Sequence, residues 1–327
     1  MAGAGITFAC TGNFLLLIVA GTIGVISPSG NEVGPFLPIE QAALAQIVPS
    51  RSRTQVFAWY SLAGSIATAV GALVAGFLVQ GLRKTAMTPV ASERAVVLLY
   101  SAMGLVLALF FRTLSTSTEV LVDTGRPAAV KRLLGLGSSR RVVFKLSGLF
   151  ALDAFGGGFV VQSFAAYWFY LRFGVLPATL GEIFFGANVF AGISALLASR
   201  LASRIGLVKT MVFTHLPSNV LLILIPLMPN LSLAILVLLV RFSISQMDVP
   251  TRQSYTMAIV ALEERSATAG ISGVARTTGA AIAPLFVGML FARPSLIDVP
   301  FFIAGTLKIG YDLLLYRAFV RLEPPEE

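Results

Sequence analysis

Residues 34–53, GPFLPIEQAALAQIVPSRSR, set prolines and a Glu–Gln pair into a hydrophobic stretch that ends in two arginines. Residues 248–265, DVPTRQSYTMAIVALEER, carry a related pattern much later in the chain. An offset of 212 residues places Pro38 on Pro250, Gln41 on Gln253 and Arg53 on Arg265 without gaps. The same offset aligns further identical residues, namely Ile47/Ile259, Val48/Val260, Ala69/Ala281, Leu73/Leu285 and Gly76/Gly288. The sequence therefore indicates an internal duplication.

The composition identifies the class of protein. The chain has 327 residues, of which 56% are hydrophobic and only 12% are charged, and its mean hydropathy is +0.86. Soluble domains usually contain about 25% charged residues. A chain with so few charges has too little polar surface to face water, and the composition therefore predicts an all-α polytopic membrane protein.

The charges and the rare residue types exclude several kinds of site. One cysteine and one histidine leave no internal disulfide and no structural zinc site, and we expect no cofactor. The net charge is +9, and the charged residues lie mostly between hydrophobic segments, which is the pattern that a lipid bilayer imposes. We therefore expect no nucleic-acid partner.

Hydrophobic segments of spanning length recur along the chain. A membrane-spanning helix needs about 20 mostly apolar residues. That length predicts spans at 54–80, 95–112, 146–172, 177–200, 208–228, 231–249, 266–292 and 298–319. A ninth span, near 14–48, is interrupted by Pro28, Gly30, Gly34, Pro35 and Pro38.

The basic residues predict an orientation with the C-terminus in the cytoplasm, in a cell membrane, and with the N-terminus outside. This choice leaves few basic residues in the outer loops, namely Arg83, Lys84, Arg94, Arg172 and Arg293. The inner loops and ends then contain most of the others, among them Arg51, Arg53, Arg140, Arg141, Lys145, Arg200, Arg204, Lys209, Arg265 and Arg317.

The longest polar segment, 113–142, is basic and predicted to be a cytoplasmic linker. It separates an incomplete bundle of three spans at 1–112 from a bundle of six spans at 143–327. Residues 128–135 form a weakly amphipathic stretch that can lie on the membrane surface.

Small residues recur every fourth position in two of the spans. Ala63, Ala67, Gly71 and Ala75 form one stripe, and Ala275, Gly279 and Ala283 form the other, in register at the same offset. Such a stripe lets a neighbouring helix backbone approach closely in lipid, where packing drives association.

At this point the sequence resembles the major facilitator superfamily of transporters. The stretch VPSRSRTQVF (48–57) contains the inner-loop form Pro-x-x-x-Arg, followed by a glycine-rich span. The stretch SRLASRIGLVKT (199–210) is similar to the family's Gly-x-x-x-Asp-Arg-x-Gly-Arg-Lys loop, with Ser203 at the aspartate position. The resemblance places five residues at the cytoplasmic gate or its loops, namely Arg53, Arg204, Gly206, Lys209 and Arg265.

The resemblance also implies twelve helices in two groups of six, which work by alternating access around a central cavity. The spans before the linker would then be the fourth to sixth helices, and residues 1–13 would be the end of the third. We therefore expect an N-terminally truncated chain that lacks the first three helices. An inactive fragment of a twelve-helix transporter is the corresponding alternative.

Polar residues inside spans are candidates for solute binding or proton coupling, because ionisable groups in hydrocarbon are expensive. In the family the first, fourth, seventh and tenth helices line the cavity. The fourth offers Asn31, Glu32, Glu40 and Gln41 around its helix breaks, where freed backbone groups can face a solute. The alternatives are a re-entrant turn near the outer surface for Glu32 and a structural pairing for Glu40.

The tenth helix offers Arg241, Gln246, Asp248, Arg252 and Gln253. Asp248 and Arg252 are four residues apart and can pair on one helix face. The duplication also sets Glu40 opposite Arg252, so that a contact between them could close the inner side. A helix-end salt bridge in contact with the cytoplasm is the alternative.

The seventh helix carries Asp153, then FGGGF (155–159), then Gln162. Three glycines predict a hinge or a close helix contact, and Asp153 is a candidate protonatable group. Structural roles are expected for Glu182, for His215 as a packed polar residue, and for Lys308 and Asp312, which are spaced to neutralise each other.

The sequence predicts a secondary transporter of a small solute, with coupling to protons suggested by the carboxylates in the spans. Nothing in the sequence resembles a P-loop, and no cluster suited to a membrane enzyme occurs near a span end. The proline in GAAIAPLFVG (279–288) favours export. A non-transporting sensor or receptor on the same fold is the alternative function.

Overall fold

The chain is α-helical throughout the part that a computed structural model describes, which comprises residues 2–23, 44, 47–85, 87–112, 136–137 and 139–322. The first four helices are α1 (Ala2–Cys10), α2 (Phe14–Ile23), α3 (Ser50–Lys84) and α4 (Pro89–Phe111). The other eight are α5 (Arg140–Gly158), α6 (Gln162–Phe173), α7 (Pro177–Ile205), α8 (Leu207–Leu224), α9 (Leu231–Ser245), α10 (Asp248–Ala258), α11 (Arg265–Phe291) and α12 (Val299–Phe319).

Eight helical segments within the described residues are long and apolar enough to cross a membrane. They coincide with the eight uninterrupted spans that the sequence predicts, and those predictions are confirmed. Most of the interrupted ninth span at 14–48 lies outside the described residues. Its main described part is α2. The predicted linker boundaries also stay a prediction, because most of 113–142 lies outside the described part.

Two of the spans are each built from two consecutive helices. The span Arg140–Phe173 joins α5 to α6, and the span Leu231–Ala258 joins α9 to α10. The first break follows Gly158, the last glycine of FGGGF. A Cβ at Gly158 would lie 2.7 Å from the Ala280 carbonyl oxygen of α11. The close helix contact expected at these glycines is therefore present.

Glycine is required at two helix ends because the backbone there has positive φ. Gly174 follows α6 with φ of 64°, which is the common left-handed helix stop. Gly206 joins α7 to α8 with φ of 86° and ψ of 161°, a region that is accessible essentially only to glycine. This geometry explains the glycine in the loop that resembles the transporter motif.

The two small-residue stripes have different surroundings. In α11, Gly279 and Ala283 are buried against α5, as the stripe predicts. In α3, Ala63 and Ala67 are exposed, and nothing lies within 4 Å of a Cβ built on Gly71. Among the described residues, no close neighbour is therefore found at Ala63, Ala67 or Gly71 of the first stripe. The helix instead packs on α7 through Gly76, whose Cβ would lie 2.6 Å from the Pro177 carbonyl oxygen.

We expect a Gly279→Ala substitution to destabilise the protein, since the added Cβ would overlap the Ala151 carbonyl oxygen. Overpacking of this kind costs about 1–3 kcal/mol. Gly288→Ala is the matched control on the same helix, because a Cβ there meets nothing within 4 Å. The measurement is the thermal unfolding midpoint of the purified protein in detergent. Equal midpoints for the two variants would contradict the close approach of α5 and α11.

Two apolar clusters lie at different levels of the helices from α5 onward. One cluster surrounds Trp168 and Phe301, and the other surrounds Phe150 and Tyr311. The helices α5, α8 and α12 each contribute residues to both clusters. Between the two clusters, these helices carry buried charged or polar side chains. This intervening polar level is where the candidate site lies.

Candidate functional site

Four helices contribute buried polar side chains to one connected cluster. They are Asp153 of α5, His215 and Asn219 of α8, Asp248 and Arg252 of α10, and Lys308 and Asp312 of α12. On the last three helices the two residues are four positions apart, which places both on one face. We call these seven residues the buried charge network.

Asp153 is the centre of the network. Its Oδ1 accepts a hydrogen bond from Lys308 Nζ at 2.5 Å, and its Oδ2 accepts one from Arg252 Nη1 at 3.2 Å. The Nε2 atom of His215 lies 3.9 Å from Oδ1. The residue is only 4% exposed, and a carboxylate removed from water in this way must be paired to remain charged.

His215 links Asp153 to the second carboxylate of α12. Its Nδ1 lies 2.8 Å from Asp312 Oδ1, and Asn219 Nδ2 donates to Asp312 Oδ2 at 2.9 Å. With Asp312 ionised, the 2.8 Å contact requires the proton on Nδ1, whereas the contact of Asn219 Nδ2 with the same nitrogen at 3.2 Å suits the other tautomer. The Nε2 atom is the nitrogen on the side of Asp153. His215 therefore lies between two carboxylates.

Asp248 completes the charge balance at the start of α10. Its Oδ2 lies 3.0 Å from Arg252 Nη1, so the pair expected from the four-residue spacing is formed. The network contains three carboxylates and two permanent cations, Arg252 and Lys308, besides the histidine. With His215 neutral these residues carry one net negative charge, and Arg241 of α9 adds a positive charge that acts on Asp153 and Asp248 from beyond salt-bridge distance.

Lys308 and Asp312 interact electrostatically, as their spacing predicts, but their direct partners are other residues. Lys308 reaches across to Asp153, while Asp312 pairs with His215 and Asn219. The spacing along α12 permits the intrahelical pair, but the packing of α12 against α5 and α8 offers each side chain a partner on another helix.

A cavity of about 180 Å³ adjoins the network. Its polar lining comes from α3, α6, α7, α9 and α12, together with Gln246 after α9. Helices on both sides of residues 113–142 therefore contribute to it. The polar residues in the lining are Thr68, Gln162, Asn188, Arg241, Gln246 and Lys308. Lys308 therefore belongs both to the cavity wall and to the buried charge network.

The structure brings most of the described candidates together. Gln162, Arg241 and Gln246 line the cavity, and Asp153, Asp248 and Arg252 belong to the network. Gln253 lies one residue beyond Arg252, and its Oε1 is buried without a hydrogen-bond partner. Asn31, Glu32, Glu40 and Gln41 lie outside the described residues, as does the proposed contact of Glu40 with Arg252.

The candidates for the cytoplasmic gate lie away from the cavity. Arg53 and Arg265 begin the matching helices α3 and α11 and are 3% and 7% exposed. The Nε of Arg265 donates to the Met257 carbonyl oxygen at 2.9 Å. Arg204 and Lys209 are exposed on either side of Gly206. Their role in gating stays a prediction.

Sequence reasoning gave His215 a structural role and did not single out Asn219. Both lie on one face of a helix that the family resemblance does not assign to the cavity. The available signal was the i, i+4 recurrence of polar residues in three separate spans. The described residues contain no group of three or more His, Cys, Asp or Glu side chains placed to hold a metal ion.

Comparison with known proteins shows the family to which the chain belongs. The membrane protein YJR124C of Saccharomyces cerevisiae, whose function is uncharacterized, is 30% identical over 348 aligned positions. The alignment covers 98% of this chain and 78% of the yeast protein. The chain belongs to the family of this yeast protein. No profile of a known protein family matches the chain.

Solved structures identify the fold of this family member. The human organic anion transporter MFSD10 (TETRAN) superposes with a TM-score of 0.62 at 17% identity, over 96% of this chain and 74% of that protein. A bacterial homologue of the iron transporter ferroportin, in an outward-facing state, gives 0.57 at 15% identity over 93% and 72%. The chain shares the fold of these two transporters, which agrees with the fold expected from the resemblance to the major facilitator superfamily, while the expected truncation stays a prediction.

Proposed function

We propose that the protein is a secondary transporter that moves a small solute across the membrane by alternating access. The observation that carries the proposal is the double position of Lys308, which lines the cavity and also binds Asp153. A solute that attracts Lys308 would weaken its contact with Asp153. Occupancy of the cavity is thereby linked to the charge state of the buried network.

Coupling to protons is part of the proposal. When Lys308 is drawn toward a solute, Asp153 needs another positive charge beside it, and histidine is the side-chain type that can gain one by taking up a proton. The two ring nitrogens of His215 face Asp312 and Asp153. A proton that binds while Lys308 is drawn to a solute would keep the buried network balanced, which makes solute binding and proton binding interdependent.

The position of the cavity supports alternating access. Thr68 belongs to α3, which precedes residues 113–142, and the other lining residues follow that segment. The helices α3 and α7 contact each other through Gly76 and Gly181. In transporters of related architecture, a site between two repeats becomes accessible from each side in turn as the repeats rock. The same fold is shared by the transporter MFSD10.

The orientation and direction are proposed from the sequence. The ends that carry Arg53, Arg265 and the turn around Gly206 would face the cytoplasm, in a cell membrane, by the distribution of basic residues. Export is the direction favoured by the proline in residues 279–288, which is Pro284 inside α11.

The test is an uptake screen with the purified protein in proteoliposomes. Vesicles with an imposed pH gradient, applied in either direction, are exposed to a mixture of small metabolites, and the retained solutes are identified by mass spectrometry. We expect at least one solute to accumulate, and accumulation to depend on the sign of the gradient. Solute binding without flux under both gradients would contradict transport and indicate a sensor.

A further inference from the structure

We infer that the cavity binds a small organic anion and that Arg241 supplies its main positive charge. This inference rests on the proposed transport function and names the chemical class of the solute. It depends on three features of the described residues: an arginine without a carboxylate partner, a set of amide donors that line the same cavity, and a wall that is otherwise apolar.

Arg241 of α9 lines the cavity, and its Nε is buried without a hydrogen-bond partner. Among the described residues no carboxylate lies within the 4.0 Å limit of a salt bridge to it. Its guanidinium carbon lies 5.1 Å from the centroid of the Phe242 ring, and Asp153 and Asp248 act on its charge from beyond salt-bridge distance. Its planar fork of donors matches the two oxygens of a carboxylate or a phosphate. A bound anion would therefore supply the salt-bridge partner that the described residues do not.

Two amide side chains that line the same cavity as Arg241, Gln162 and Gln246, can offer donors to its space. Asn188 Nδ2 donates to Gln162 Oε1 at 3.0 Å and to the Phe184 carbonyl oxygen at 2.7 Å. This arrangement uses the acceptor oxygen of Gln162 and leaves its amide hydrogens available. Gln246 and Lys308 line the cavity as well. No carboxylate occurs among the described lining residues, so the wall is positive and rich in donors.

The size and the remaining wall limit the kind of anion. Small-molecule sites for drug-sized ligands usually span about 300–1,000 Å³, whereas this cavity measures about 180 Å³. That volume corresponds to about six water molecules. Phe184, Leu222, Leu238, Phe242 and Phe301 form the apolar part of the wall. A short carboxylate with a hydrocarbon portion fits both properties better than a fully hydrated inorganic ion.

The experiment measures thermal unfolding midpoints of the full chain in lipid nanodiscs with sodium acetate, succinate, butyrate or phosphate against sodium chloride at equal ionic strength. A ligand that binds the native state raises the midpoint as its concentration rises. We expect at least one carboxylate to do so. Arg241→Gln should weaken the apparent affinity by about ten- to a hundredfold, the usual effect of losing a charged hydrogen bond.

Two further variants make the result interpretable. Arg293→Gln removes an exposed arginine at the end of α11 and should leave the anion-dependent shift unchanged. Arg241→Lys keeps the charge without the planar fork and should show a weaker shift, which also provides a test if Arg241→Gln does not fold. A larger shift with phosphate than with every carboxylate would overturn the assignment to an organic anion.

The remaining outcomes separate this inference from the transport proposal. An equal carboxylate-dependent shift in Arg241→Gln would overturn the role of Arg241, and the absence of a shift with all four anions would overturn the inference as a whole. If the proteoliposomes accumulate only neutral or cationic solutes, transport stands and the anion inference fails. If a carboxylate binds through Arg241 but never crosses the membrane, the inference stands and transport fails.

Discussion

Replacing Asp153 with asparagine should lower the free energy of unfolding by about 3–5 kcal/mol, the usual effect of removing one partner of a buried ion pair. The substitution leaves Lys308 with no carboxylate within 4.0 Å among the described residues and removes one of the two carboxylates that contact Arg252. The measurement is the thermal unfolding midpoint and the folded yield on size-exclusion chromatography. Glu93→Gln is the control, because its pair with Arg83 is exposed and such pairs contribute about 0–1 kcal/mol.

A double variant shows whether the loss arises from the stranded lysine. In Asp153→Asn with Lys308→Met, the uncompensated ammonium is gone and Arg252 still has Asp248 at 3.0 Å. Replacing both partners of a buried pair is often nearly neutral. The double variant should therefore be more stable than Asp153→Asn alone. Strictly additive losses would show that the two residues do not interact, contrary to the contact between them.

Replacing His215 with asparagine should abolish solute accumulation driven by a pH gradient while exchange of solute across the membrane continues. Asparagine can still donate to Asp312 from the position of Nδ1, but it cannot take up a proton. The network would then lose its exchangeable positive charge without losing the hydrogen bond at 2.8 Å. Both activities are measured in proteoliposomes, with the solute that the uptake screen identifies.

The comparison of the two activities decides the role of His215. Glu93→Gln should retain both gradient-driven accumulation and exchange. A His215→Asn protein that still accumulates solute along the pH gradient would contradict the proposed proton site. Loss of both activities would instead mean that the histidine is only a packed polar residue, which is the role that the sequence alone suggests.

The sequence predicts the spans well for a physical reason. In hydrocarbon every backbone polar group must be satisfied within its own segment, and only helices of fixed minimum length achieve this. The eight uninterrupted segments were therefore recognisable from apolar length alone. The three consecutive glycines also predicted a hinge or a close helix contact, and the structure has the close contact, between Gly158 and Ala280.

The small-residue stripes show the limit of pattern reasoning. Both stripes have the same spacing, yet a close neighbour is found along the one in α11 and, among the described residues, not at Ala63, Ala67 or Gly71 of α3. A stripe predicts that a face can accept a close neighbour, whereas the presence of that neighbour depends on the rest of the bundle. In α3 the described contacts form through Gly76 and the adjacent face instead.

The sequence by itself determined the membrane class, the helical spans and, within one helix, the pair of Asp248 with Arg252. These features depend on the local helix geometry and on the solvent, which act on every segment separately. Only the tertiary structure decided that Lys308 binds Asp153, 155 positions away, and that Asp312 turns to His215. The choice depends on how α5, α8 and α12 are rotated against one another, because packing fixes which of several possible charges becomes the nearest partner.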